Sequence, residues 1–550
     1  MVSFSIPDTG FVFYGELPFS EILMYTSSDL ASLAEEAVDK QGEHTALVYD
    51  GTPVSNMRVL RDARKIQCSL LELGMDDEGI AVVCMKNHPL VHSVFLGGFR
   101  AGVTITPVIP QLTAHELRFI FEHTRCRCVF TDGDKIETVR EAAAGLDHIQ
   151  WIAVLNGTDD ADAVPREYGL DTLLESGESH DFVTPNPDNV ALMLYTSGTT
   201  GKPKGVMLSH ANLIASGETL IDAAELHLRD HPIRSITALP MAHIFGISLM
   251  TFDFLVPTEY EPGYMVQEAK FDAEHIMRLI EEHGCTDLSV VPTMLSLMLN
   301  HPSFEKYDLS SLFKVDVGGA PMAEDLARQF KAQVGCHIRQ RYGMTENSGK
   351  GSTDRTSEPY HPGSVGRQYH NTDVKIVIEN GEEQEAGEIG EIATRGPTTM
   401  LGYYRDAKAT AETLRDGWLH TGDLGYMSED GWLYVVDRKK DMIIKGGENI
   451  YPAELESVLY KMPGVADAAV VGVPHPIYGE VPVAYVVARH DGDIDVESIL
   501  AHLKKAVTSF KIPSKIAMIE QLPKSGVGKV LRRELRERAR ETFTFEHIQT

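Results

Sequence analysis

The sequence predicts an α/β protein in two unequal parts. A large layered α/β N-terminal domain with parallel sheets would span residues 1–437, and a small α+β C-terminal domain 438–550. Three observations predict this. Short apolar runs alternate with helical patterns through the first 440 residues, as strand–helix–strand units do. The chain has 550 residues, too many for one domain at roughly 150 residues each. The charge changes near Asp437: residues 438–550 carry 17 Lys+Arg against 15 Asp+Glu, whereas the first 437 carry 33 against 65.

The elements follow in order. Ser28-Asp29 is an N-cap region before Leu30, Leu33, Ala34 and Ala37, which recur at helical spacing. Ile80–Met85, Trp151–Leu155 and Val190–Tyr195 are short apolar runs with the form of buried strands. Helical patterns cover Leu112–His123 and Ile136–Ala144. Alternation over Arg125–Thr131 predicts a strand with Cys126 and Cys128 on one face. Trp432–Val436 closes the first part, followed by the charged string Arg438-Lys439-Lys440-Asp441. A helix then starts with Pro452 at its first position and buries Leu455, Val458, Leu459 and Met462. Strands at Ala468–Val473 and Val481–Ala488 and a helix near Val496–Val507 complete the small domain.

Composition excludes several classes. A hydrophobic fraction of 43% and a charged fraction of 24% are globular values. A net charge of −30 argues against a general nucleic-acid binder. No run reaches ~18 uninterrupted apolar residues, so no membrane span is expected. No secretory signal or peroxisomal tag is visible, and a cytoplasmic protein is expected. Six cysteines are sparse, and a lone C-x-C pair is weak evidence for metal or redox chemistry. Reduced core thiols are the simpler expectation.

The densest chemical signal is Tyr195-Thr196-Ser197-Gly198-Thr199-Thr200-Gly201-Lys202-Pro203-Lys204-Gly205. It follows a strand-like run. Its glycines let the backbone approach a ligand closely, and its hydroxyls and lysines suit a polyphosphate. The spacing is not that of a Walker A loop.

This loop resembles the phosphate loop of the adenylate-forming superfamily, which holds acyl-CoA synthetases, peptide-synthetase adenylation domains and luciferases. Further blocks match in order: Leu239-Pro240-Met241-Ala242-His243-Ile244-Phe245-Gly246, Gly318-Gly319-Ala320-Pro321, Arg341-Tyr342-Gly343-Met344-Thr345-Glu346, His420-Thr421-Gly422-Asp423 with Asp437-Arg438, Lys445-Gly446-Gly447-Glu448-Asn449, and Pro523-Lys524-Ser525-Gly526-Val527-Gly528-Lys529.

The resemblance implies an AMP-forming acid–thiol ligase using ATP, Mg²⁺ and CoA. Thr196, Ser197, Gly198, Thr199, Thr200, Gly201 and Lys204 would cradle the β- and γ-phosphates. Thr345 would donate to the α-phosphate, and Glu346 would hold Mg²⁺. Gly318, Gly319 and Ala320 would lie flat on adenine, with Tyr342 and Gly343 beside them and Tyr342 stacked on the base. Asp423 would accept both ribose hydroxyls, supported by Arg438. Lys529 would bridge the attacking carboxylate and the α-phosphate, stabilising charge rather than acting as a base. The small domain would then swing about a hinge at Lys440, exchanging the Lys529 loop for Lys445, Gly446 and Gly447, whose missing side chains would leave a path for pantetheine. His243 would gate carboxylate pocket and thiol tunnel.

Ile244, Phe245, Ile247, Met250 and Met344 are the acyl-pocket candidates. They are apolar or flexible, which favours a medium- or long-chain fatty acid, with an aryl acid close behind. Asp253 resembles the amine-binding aspartate of amino-acid-activating relatives only superficially. The thiol would belong to CoA or to a carrier protein's phosphopantetheine. The basic run Arg532, Arg533, Arg536, Arg538 and Arg540 would suit CoA phosphates, or would be a salt-bridged helix face with Glu534, Glu537 and Glu541. A monomer or homodimer is expected.

Overall fold

The apolar runs Ile80–Met85, Trp151–Leu155 and Val190–Tyr195 form strands of one sheet and send their side chains into two apolar clusters. The computed structural model describes residues 25–75, 79–179, 181–182, 184–196, 203–489, 494–524 and 530–542.

The first sheet has eight strands, ordered Gly402–Tyr403, Lys204–Ser209, Val190–Thr196, Thr104–Pro107, Ile80–Cys84, Cys128–Asp132, Trp151–Leu155 and Arg166–Gly169. From Val190–Thr196 onward all neighbours are parallel. Cys128–Asp132 and Trp151–Leu155 are buried throughout, as fully covered parallel strands are. Cys126 and Cys128 are both core residues, and burial pushes the Cys126 thiol up to about 12.

The second sheet has nine strands. Its six central strands, His337–Tyr342, Lys314–Gly318, Asp287–Val290, Arg234–Thr237, Tyr264–Gln267 and Thr45–Tyr49, are parallel. The helix Ile244–Leu255 is apolar nearly all round and packs against His210–Ala224, so it is an interior helix rather than a surface one.

A third sheet departs from the predicted parallel arrangement. Asp373–Val377, Gly390–Arg395, Trp418–Met427, Leu414–Arg415 and Leu433–Arg438 form an antiparallel set. The physical reason is the connections. No helix lies between Asp373–Val377 and Gly390–Arg395, or between Trp418–Met427 and Leu433–Arg438, and a parallel crossover needs about a dozen residues or more, usually helical.

The chain passes from the third sheet to a fourth between Arg438 and Ile443. This fourth sheet contains Glu448–Ile450, Ile443–Lys445, Gly479–Ala488, Val465–His475 and Lys515–Met518. The helix Pro452–Tyr460 starts with proline at its first position and buries Leu455 and Leu459, as the sequence predicts, whereas Val458 is only half-buried and Met462, also half-buried, lies beyond the helix end at Tyr460. A smaller, largely antiparallel C-terminal domain follows the large one, with its own core built on Ile443, Ile450, Leu455, Val470 and Val486. Among the described residues no helix is long and apolar enough to cross a membrane.

Candidate active site

The site is built where strands end. Val190–Thr196 pairs antiparallel with Lys204–Ser209, which makes Thr196 and Lys204 direct cross-strand partners. Ser197, Gly198, Thr199, Thr200 and Gly201 lie outside the described residues, as does Lys529. Lys204 holds its ammonium 4.7 Å over the Tyr403 ring. The Tyr403 hydroxyl donates to Glu346 Oε1 at 2.9 Å.

Thr345 and Glu346 sit on a single turn of 3₁₀ helix, Thr345–Asn347, just past the strand His337–Tyr342. Asn347 shapes that turn. Its side-chain oxygen accepts the amides of Met344 at 2.9 Å and Lys350 at 3.2 Å. Gly343 is required by packing: a Cβ there would lie 2.3 Å from the Gly349 carbonyl carbon. Thr345 and Glu346 are buried. Burial is the largest influence on the Glu346 carboxyl and raises its pKa, while its hydrogen bonds and Arg438 offset part of the rise.

The turn connects to a second polar group. The Tyr342 hydroxyl donates to Asp423 Oδ2 at 2.8 Å, and Arg438 Nε lies 2.9 Å from Asp423 Oδ1. Asp423 and Arg438 face each other across neighbouring strands, which fixes the pair. The Asp423 carboxylate raises the Arg438 pKa further, and burial together with Asp423 raises the Tyr342 phenol well above its usual value. Both Asp423 oxygens therefore have protein partners, leaving one further lone pair on each for a ligand. The Tyr342 ring packs on Gly351, where a Cβ would come within 2.8 Å of it, and joins Ile376, Ile392 and Leu433 in a small apolar cluster.

Gly318 ends the strand Lys314–Gly318, and a Cβ on it would lie 3.3 Å from the Phe245 ring. Gly319 and Ala320 are exposed beyond it, and Gly319 has φ +80°. His243 is the N-cap of Ile244–Leu255, its Nδ1 accepting the Phe245 amide at 3.4 Å. Ile244 lies beside Gly349, where a Cβ would be 3.7 Å away. Ile244, Phe245 and Met344 thus gather around the Gly318 and Gly343–Gly349 backbone. Ile247 is fully buried. Met250 points elsewhere: it lines a separate small cavity with Gln41, His44, His92 and Asp253. Six residues along the helix is roughly 9 Å, which accounts for the separation.

Lys445, Gly446 and Gly447 belong to the C-terminal sheet. Lys445 pairs with Glu448 across a two-residue turn in which Gly446 and Gly447 both have positive φ, +61° and +92°. Only glycine, asparagine or aspartate fit such a turn readily. The Lys445 ammonium donates to the Phe510 carbonyl at 2.9 Å. Lys440 is exposed in the turn between the third and fourth sheets. Asp437 and Asp441 bracket it: the Ala453 amide donates to Asp437 Oδ2 at 2.8 Å, and Arg536 pairs with Asp441. Of the basic helix, Arg533 pairs with Glu537 on the same helix, as the salt-bridged face implies, whereas Arg532 and Arg536 pair with Glu456 and Asp441 on other segments; all three arginines are engaged in ion pairs, which weighs against a phosphate site.

Tyr403 and Asn347 are candidate site residues that the sequence reading misses. Tyr403 stands 57 residues from Glu346, so no local pattern marks it. Asn347 directly follows the Thr345-Glu346 pair and was within reach of a capping argument.

A family model described as AMP-binding enzyme matches residues 34–404, and one described as AMP-binding enzyme C-terminal domain matches 454–529. The chain belongs to the AMP-binding enzyme family. It is of the acyl-CoA synthetase type within the adenylate-forming superfamily, and an AMP-forming ligase. A feruloyl-CoA synthase from Amycolatopsis is 34% identical over 496 residues, covering 90% of this chain and 96% of the relative. A long-chain-fatty-acid–CoA ligase from Escherichia coli is 31% identical over 544 residues, covering 93% and 94%. The crystal structure of ATP-bound MatB from Rhodopseudomonas palustris superposes with a TM-score of 0.84 at 29% identity, covering 94% of this chain and all of that one.

Proposed function

We propose that the chain joins a carboxylic acid to CoA in two steps at this one site. In the first, the acid carboxylate attacks the α-phosphate of ATP, giving an acyl-adenylate and pyrophosphate. In the second, the CoA thiol attacks the acyl carbon and AMP leaves. The observation that carries this reading is the continuous polar line Lys204–Tyr403–Glu346–Thr345 and Tyr342–Asp423–Arg438, joined through the turn at Gly343.

Both reactants are anions, so neutralisation and positioning dominate the chemistry. Lys204 and Thr196 would meet the outer phosphates and Thr345 the α-phosphate. The remaining lone pairs on Asp423 would accept the ribose hydroxyls. Lys529 would bridge carboxylate and α-phosphate in the first step.

Glu346 fits a cation. It is a buried carboxylate whose hydrogen-bonding side-chain partner, Tyr403, is a neutral phenol. Glu346 would hold Mg²⁺, which when bound would supply charge neutralisation to the polyphosphate. For the second step, the C-terminal domain would turn about Lys440 and present Lys445–Gly447. That turn would break the Arg536–Asp441 pair or carry it along.

The acid would lay its apolar part against Ile244, Phe245 and Met344. These three support a fatty or aryl body, whereas Met250 lies apart and adds no support. Pyrophosphate release with Mg-ATP, measured over fatty, aryl, dicarboxylic and amino acids with and without CoA, tests the proposal. Acid-dependent release with AMP and a CoA thioester as products supports it. Release without thioester transfers the second step to a carrier-protein thiol. No release with any acid removes the reading.

A further inference from the structure

Lys350 is a buried lysine that none of these steps uses. It directly follows the site turn and is 2% exposed. Its amide donates to the Asn347 carbonyl at 2.9 Å, but among the described residues its ammonium has no hydrogen-bond or ion-pair partner. Lysine is almost never fully buried unless paired, because an unpaired ammonium loses its hydration for nothing.

The nearest compensation is already committed. Asp316 Oδ1 accepts from Arg339 at 2.9 Å, and Oδ2 accepts from Arg341 at 2.6 Å and lies 3.2 Å from the Lys314 ammonium. Burial and the Arg341 guanidinium lower the Lys350 pKa well below its usual value, and Asp316 offsets only part of this. Among the described residues Asp287 pairs with Lys314 at 3.2 Å and with Arg229, and Glu225 lies 3.7 Å from Arg339, so the carboxylates along this charged strip are all engaged by other cations and none pairs with Lys350.

The position of Lys350 ties it to the acyl site. A Cβ on Gly343 would lie 2.8 Å from the Lys350 amide nitrogen. Its neighbour Gly349 meets Ile244, and Gly318 meets both Phe245 and the Arg341 backbone. The Lys350 backbone thus adjoins the segments that carry Ile244, Phe245 and Met344, and its ammonium lies in the field of Arg341 and Asp316, the residues of the charged strip.

We propose that Lys350 is a specificity-determining residue of the acyl site and that it pairs with a second anionic group on the acid, remote from the carboxylate that is adenylated. The substrate class is an acid with an apolar body and a distal carboxylate or sulfonate. The proposal rests on the ligase reading above and narrows its acid. An ammonium without a protein partner then has a purpose there: a substrate lacking the second anion leaves it unpaired, and a substrate carrying it supplies the pair. Sites that hold buried polar groups reject analogues lacking the partner far more strongly than apolar pockets reject a missing methylene.

The test compares kcat/KM for acids of matched length ending in methyl, carboxylate or sulfonate, on the wild type, Lys350→Met and Lys350→Arg. The wild type should prefer a doubly anionic acid over its methyl-ended counterpart by on the order of 10²-fold, the scale of one buried charge pair. Lys350→Met should collapse that ratio, and Lys350→Arg should keep most of it. The carboxylate and sulfonate arms identify which anion the site takes. Thermal unfolding of Lys350→Met accompanies the kinetics. Removing an unpaired buried charge should leave the midpoint equal or higher, so a collapsed ratio reports specificity and not misfolding. A methyl-ended acid preferred by the wild type, with the same ratio in Lys350→Met, overturns the proposal while leaving the ligase reading intact. Absence of turnover with every acid overturns both.

Discussion

Alanine at Gly343 would place its methyl 2.3 Å from the Gly349 carbonyl carbon, 2.4 Å from that carbonyl oxygen and 2.8 Å from the Lys350 amide nitrogen. Carbon atoms in contact sit about 3.5–4.0 Å apart, so the two segments must separate by roughly 1 Å. All three obstacles are backbone atoms, so no side-chain rotation relieves the clash. Overpacking of this kind costs about 1–3 kcal/mol of stability. The segment that moves carries Thr345 and Glu346. A misplacement near 1 Å in a positioned group costs on the order of 10²-fold in rate. Acid-dependent pyrophosphate release by Gly343→Ala should fall by about that factor, with the chain still folded by circular dichroism. Gly177→Ala is the control, because nothing lies within 4 Å of a Cβ there. Wild-type turnover by Gly343→Ala would refute the claim that this backbone contact positions the catalytic turn.

Further perturbations separate the remaining parts of the account. Lys529→Ala should abolish adenylation and spare thiolysis of a supplied acyl-adenylate; equal loss of both steps would contradict domain exchange. Gly447→Leu should block thioester formation, but the φ of +92° means leucine also strains the turn. Gly447→Asn, which the turn tolerates, should therefore spare adenylation and slow thioester formation, and an unchanged thioester rate would count against the pantetheine path. Tyr403→Phe removes the hydroxyl that donates to Glu346, and pyrophosphate release should drop between about 10- and 100-fold, the value of a hydrogen bond to a charged group; an unaltered rate would show that Tyr403 does not position Glu346. Asp253 is pushed up to about 8 by burial alone. Its folded pKa exceeds the unfolded value of about 3.9, so the stability it supports is full below that value and is lost as pH rises through about 8. Asp253→Asn should thus raise the unfolding midpoint above wild type at pH 8, and much less at pH 5; parallel midpoints at both pH values would contradict this.

Much of the fold was legible because its signals are local. Asp29 caps Leu30–Gln41 by accepting the Ser32 amide, and Pro452 begins its helix, both as the residues imply. The buried parallel strands announce themselves as apolar runs. The antiparallel third sheet was not legible. Strands such as Asp373–Val377 and Trp418–Met427 mix buried residues with half-buried or exposed ones, and their pairing depends on partners far along the chain. The candidate site divides the same way. Thr345, Glu346, Asp423 and Arg438 stand in ordered motifs, and the structure brings them together. Tyr403 and Lys350 carry no motif, because their meaning lies in a contact 57 residues away for one and in a missing partner for the other. Met250 fits the helical pattern of the pocket residues, yet the pattern alone does not say how far along the helix the pocket reaches. Gly446 and Gly447 read as gaps in a wall; the turn geometry gives a further reason for both.

The most direct measurement follows the carboxylate oxygen. The acid is supplied with both carboxyl oxygens labelled as ¹⁸O, together with Mg-ATP and CoA, and the products are weighed by mass spectrometry. Attack of the carboxylate on the α-phosphate, followed by thiol displacement, predicts one labelled oxygen in each AMP and one retained in the thioester. Unlabelled AMP, or label in phosphate or pyrophosphate, would contradict the acyl-adenylate route.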